Sequence, residues 1–84
     1  MLFNRIQRLK EGTSKVRYNN ATYAVNKEKF NNGRSFKVYA DELGGNDFIS
    51  FNYYVKEDGE DLLKPCEMPQ EKVTHFLNNY KTVE

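Results

Sequence analysis

The sequence predicts an α+β fold: a four-stranded antiparallel meander with a short fifth strand, its N- and C-terminal helices packed on one face. Three observations carry this. The stretch 36–54, FKVYADELGGNDFISFNYY, alternates apolar and polar residues with period two on both sides of a glycine turn. A run near each end of the chain repeats apolar residues at helical spacing. The whole chain is 84 residues, enough for one domain, 1–84, and too few for two.

Taken in order, Leu2, Phe3, Ile6 and Leu9 form an apolar stripe with Arg5, Arg8 and Lys10 between them, a short helix ended by Gly12. Residues 14–18 and 21–27 read as strands around Asn19-Asn20, with Val16 opposite Tyr23 on the core side. Residues 27–34 read as a loop turning at Asn31-Asn32-Gly33, with Phe30 folded back over the core edge. The central hairpin follows, and matching its apolar faces pairs Val38 with Phe51 and Phe36 with Tyr53. Residues 56–61 turn, and Leu62 to Pro65 are extended because the residue before a proline is pushed out of the helical region. Pro69 opens the last helix, Glu71 suits its positive end, and Val73, Phe76, Leu77 and Tyr80 form its stripe. Residues 81–84 are expected to fray. Both helices should cover Val16, Tyr23, Val25, Phe36, Val38, Phe51 and Tyr53, leaving the other sheet face wet.

Apolar residues make up 38% of the chain and aromatic residues 14%, which supplies one small core and argues against disorder. The net charge of +1 conceals a segregation. Up to residue 40 nine basic residues stand against two acidic ones, and from Asp41 on four basic stand against ten acidic, about +7 and −6. Either the two parts lie side by side and neutralise each other, or the first forms a positive patch for an anionic partner. The single cysteine, Cys66, forms no internal disulfide, and no run approaches the ~20 apolar residues of a membrane helix. With no apolar leader in MLFNRIQRLKEG, the expectation is a cytoplasmic protein with no membrane partner.

Three places invite chemistry. The register aligns Lys15, Arg17, Lys37, Tyr39, Phe48, Asn52 and Tyr54 on the wet face, with Tyr39 diagonal to Phe48. Cations among aromatics there suit a protein partner, self-association into a homodimer, or, more weakly, nucleic acid. Cys66, just before the last helix, is the weak catalytic candidate, since a thiol near a helix N-terminus gains thiolate character. The adjacent Glu67 opposes that, and His75 is expected in solvent beside Glu71, away from the thiol. The stretch EDGED, residues 57–61, lacks the ligand spacing of a calcium loop. Without a phosphate-cradling glycine loop, zinc spacing or nucleophile elbow, no cofactor or metal and no enzymatic constellation are expected.

Two motifs, GGNDFISFNYY (44–54) and LLKPCEMPQEKVTHFL (62–77), resemble short single-domain bacterial proteins of unassigned function. Some of those are labelled peptide methionine sulfoxide reductase. That label implies a thiol nucleophile, for which Cys66 is the one available residue. The chain departs from reductase patterns in having no tryptophan for a Gly-Cys-Phe-Trp type motif and no second cysteine for zinc or for resolving a sulfenic acid.

Overall fold

Alternation along the chain resolves into six strands and two helices in the computed structural model, which describes residues 2–83. In chain order these are α1 (Leu2–Arg8), β1 (Gly12–Tyr18), β2 (Ala21–Phe30), β3 (Ser35–Glu42), β4 (Phe48–Tyr54), β5 (Leu62–Pro65), α2 (Gln70–Asn79) and β6 (Lys81–Thr82). The strands make one sheet in the order β5-β4-β3-β2-β1-β6. Every neighbouring pair is antiparallel. The expected pairings Val16 with Tyr23, Val38 with Phe51 and Phe36 with Tyr53 are all present. The β1–β2 turn works because Asn19 and Asn20 accept left-handed backbone, with φ of 51° and 62°.

Both helices cover one face. Ile6 and Leu9 from the first, and Val73, Phe76, Leu77 and Tyr80 from the second, are buried with Val16, Tyr23, Val25, Phe36, Val38, Ala40, Ile49, Phe51 and Tyr53. Phe3 stacks on Tyr53 at 5.9 Å and meets Phe36 edge-on at 6.1 Å.

The structure corrects the sequence reading in three places. First, β2 runs on to Phe30, with Lys29 opposite Phe36 and Phe30 opposite Ser35. Asn31 and Asn32, both left-handed, complete the reversal with Gly33, so no longer loop is needed. Phe30 therefore keeps strand parity with Asn26 and Glu28, away from the helices, and is 48% exposed instead of folding over the core. Second, Lys81 and Thr82 do not fray but pair with Arg17 and Val16, extending the sheet by one strand; Glu84 lies outside the described residues. Third, α1 stops at Arg8, and Gly12, at φ 87°, opens β1.

Two cations close the carbonyl ends of the helices. Lys27 lies on the core face of β2 opposite Val38, and its Nζ donates to the carbonyls of Ile6 (2.9 Å), Gln7 (3.4 Å) and Leu9 (2.7 Å). An ammonium at the negative end of a helix satisfies carbonyls that have no intrahelical partner. Arg5 does the same for α2: its Nε donates to the Leu77 carbonyl at 2.7 Å and its Nη2 to that of Tyr80 at 2.5 Å. The guanidinium lies 4.1 Å from the Tyr80 ring centroid, and the Tyr80 hydroxyl donates back to the Arg5 carbonyl.

The start of α2 is pinned by Asp47 in the β3–β4 connection. Its Oδ1 meets Lys72 Nζ at 2.5 Å, and its Oδ2 accepts from the Tyr23 hydroxyl at 2.8 Å. Burial pushes the Asp47 carboxyl up, but hydrogen bonds from Lys72 and Tyr23 and the Lys72 charge outweigh it and hold it below its usual value. A carboxylate depressed in this way adds stability above its unfolded-state pKa and loses it as the pH falls through the folded one. Unfolding midpoints in urea are therefore expected to drop on acidification below about pH 4. In Asp47→Asn that part of the profile should flatten; an unchanged slope would remove Asp47 from the account.

Candidate functional site: the open face of the sheet

Residues of opposite parity to the core make the uncovered face. Lys15 and Arg17 come from β1, Lys37 and Tyr39 from β3, and Phe48, Asn52 and Tyr54 from β4, as their register requires. The three cations are exposed, Tyr39 is 45% exposed, and Phe48, Asn52 and Tyr54 are half-buried. Tyr39 and Phe48 stack with centroids 5.8 Å apart and planes 16° from parallel. Arg17 donates to the Thr22 hydroxyl at 3.2 Å. All seven residues nominated from the sequence thus share one surface.

The same parity adds residues that sequence reasoning missed. Lys81 stands beside Arg17 through β6, and Lys64 opposite Asn52 through β5. Phe30, Ser35, Tyr54 and Leu62 form one transverse row, and Phe30 and Leu62 are exposed. The signal for Phe30 was its even spacing from Asn26 and Glu28. Lys64 and Leu62 could have been placed by pairing the fifth strand with the fourth. Nothing in KT, residues 81–82, announces a strand.

The electrostatics separate this face from the rest of the molecule. Among the described residues the ion pairs are Lys29–Glu11, Arg34–Glu57 and Lys72–Asp47. None involves Lys15, Arg17, Lys37, Lys64 or Lys81, which all lie on the open face. Glu28 is opposite Lys37 and Asp41 opposite Ala24, without closing a pair with any of them. Three of these cations, Lys15, Arg17 and Lys81, gather at the β1–β6 edge, which continues into a shallow cleft lined by Arg17, Tyr18, Asn19, Asn20, His75 and Lys81. The carboxylates Glu57, Asp58, Glu60 and Asp61 lie at the opposite edge, in the connection between β4 and β5.

Cys66 joins the same face. Its amide donates to the Ser50 carbonyl at 2.9 Å, extending the β5 pairing, and its half-buried Sγ accepts from Asn52 Nδ2 at 3.8 Å. It is neither a core residue nor part of the helix start at Gln70. His75 is not paired with Glu71. Its Nδ1 meets the Tyr18 hydroxyl at 2.5 Å, because β1 ends where the exposed side of α2 passes over it. Burial raises the Tyr18 phenol pKa, so this hydroxyl keeps its proton. Three strands, β4, β3 and β2, separate the strand that carries Tyr18 from the β5 edge that carries Cys66, so thiol and imidazole do not meet. Among the described residues no group of three or more His, Cys, Asp or Glu converges, and no helix is long and apolar enough to cross a membrane. Compared with known proteins, the chain matches no family model, no curated protein and no solved structure.

Proposed function

We propose that this chain is a small non-enzymatic binding module that takes a partner on its open sheet face, working in the cytoplasm of a bacterium. One observation carries the reading: among the described residues, five cations without carboxylate partners stand among exposed aromatics on the one sheet face that no helix covers. Cations without an internal ion pair have none to break when an anionic or polar partner docks, and the rings beside them add cation–ring attraction. The compartment and the source rest on the lone unpaired cysteine and on the family resemblance, and the partner class on charge alone. The test is a triple variant, Arg17→Ala, Lys37→Ala and Tyr39→Ala, compared with the parent in affinity capture followed by mass spectrometry and nucleic-acid sequencing. Capture by the parent should drop at least tenfold in the variant, with the circular dichroism spectrum unchanged. Equal capture by both proteins would rule the face out.

A further inference from the structure

We infer that the occupant of this face is a single strand of nucleic acid, laid across the sheet with phosphates on the cations and an unpaired base on Tyr39; the inference rests on the binding-face reading above. Charge complementarity chooses the class. Among the described strand residues of open-face parity, the cations are Lys15, Arg17, Lys37, Lys64 and Lys81, and the carboxylates are Glu28 and Asp41. Five cations less two carboxylates leave +3 on this face of a chain whose net charge is +1, so the rest of the molecule sums to −2. The positive excess belongs to one surface, and no ion pair among the described residues engages it. Such a surface draws a polyanion.

The register sets a ring between the charges. Tyr39 shares a transverse row with Asn26 and Ser50. On one side the following rows carry Lys15, then Arg17 with Lys81; on the other side the next row carries Lys37 and Lys64. From Lys64 to Lys81 the sheet measures five strand spacings, about 24 Å, with Tyr39 near the middle. Tyr39 stacks on Phe48 and is still 45% exposed, so a further flat ring can lie against it. Asn26 and Ser50 beside it are short and bring amide and hydroxyl groups to the edge of such a ring. A duplex offers phosphates but hides its bases in the stack. An acidic peptide offers carboxylates without a series of rings. A single strand alternates anion and planar ring, as this face alternates cation and aromatic. Glu28, opposite Lys37, and Asp41, in the row of Lys15, repel the same phosphates, so removing their charges should tighten binding.

Fluorescence anisotropy with labelled oligothymidine and oligouridine of about 12 nucleotides tests this, beside a duplex of the same length and over a salt series. The parent should bind the single strands more tightly than the duplex, and the logarithm of affinity should fall with that of salt at a slope of about −3.5 if all five cations meet phosphate. Lys37→Gln should flatten the slope by about 0.7. Tyr39→Ala should weaken binding about tenfold with the slope unchanged, while Tyr39→Phe, which keeps the ring, binds like the parent. Glu28→Gln with Asp41→Asn should tighten binding about threefold. All four positions are exposed, and circular dichroism checks that each variant is folded. A folded parent that binds no single strand at low salt overturns the inference. So does a duplex held as tightly as the single strand, a Tyr39→Ala variant that binds like the parent, or a Glu28→Gln, Asp41→Asn variant that binds no tighter. If the parent ignores oligonucleotides but the affinity capture above recovers an acidic protein that the triple variant loses, nucleic acid is overturned and the binding face stands; if nothing is captured either, both fall.

Discussion

Replacing Lys27 with methionine is expected to lower the free energy of unfolding by about 4 kcal/mol. Methionine keeps an unbranched apolar stem of similar length, so the packing of the aliphatic part is retained and the ammonium alone is removed. What remains are the carbonyls of Gln7 and Leu9 without the donor they had, while that of Ile6 keeps the Leu9 amide at 3.2 Å. Leaving a buried acceptor unsatisfied costs about 1–3 kcal/mol. The ammonium also stands 5.4 Å from the Phe36 ring centroid, and the substitution removes that cation–ring attraction too. Burial pulls the pKa of this amine down, with Glu11 pulling it back up, yet the converging carbonyls give a proton-bearing nitrogen three acceptors. Urea unfolding with an unchanged m-value is the measurement. A loss under about 1 kcal/mol would mean that water replaces the ammonium and that the cap is dispensable.

The second large effect is expected from Phe76→Ala, at about 4 kcal/mol. Phe76 is fully buried, and its ring is shared by both layers. It meets Tyr18 of β1 edge-on at 5.1 Å, Tyr23 of β2 at 6.1 Å, and stacks on Tyr80 at 5.6 Å. Truncation empties the space between the sheet and α2, and aromatic neighbours anchored by their own hydroxyl bonds do not collapse into it: Tyr18 is held by His75, Tyr23 by Asp47 and Tyr80 by the Arg5 carbonyl. Phe76→Leu, which keeps most of the volume, should cost about 1 kcal/mol. For a chain of this length total stability is about 4–13 kcal/mol, so the alanine variant loses between about a third and nearly all of it. Equal midpoints for the alanine and leucine variants would show that the site relaxes around the loss.

The parts of this fold that are legible in the sequence are those written in periodicity. Phe36, Val38, Phe51 and Tyr53 alternate without interruption, and Gly44-Gly45 mark the reversal, so register, buried face and open face follow together. The stripe of Val73, Phe76, Leu77 and Tyr80 likewise fixes which side of α2 points inward. What escapes periodicity is any residue whose partner is distant and polar. Lys27 continues the parity of Tyr23 and Val25, but a charged residue at a core position reads as the end of a strand. Its acceptors lie 18 to 21 residues earlier in the chain. Tyr18 and His75 are 57 residues apart, and the bond between them depends on where α2 crosses the sheet. The two-residue β6 has no pattern at all; it pairs only with Val16 and Arg17 at the edge of β1. On the open face, parity placed all seven nominated residues correctly, while Lys64, Lys81 and Leu62 depended on strands too short to carry a pattern of their own.

The capping arrangement also bears on how the molecule breathes. Lys27 of the sheet completes α1, Arg5 of α1 completes α2, and Tyr80 returns a bond to Arg5. Lifting α1 from the sheet strips α2 of its terminal partners at the same moment, so the helical layer opens as one body and not helix by helix. Amide exchange at matched rates in the two helices is the expected signature of that joint opening.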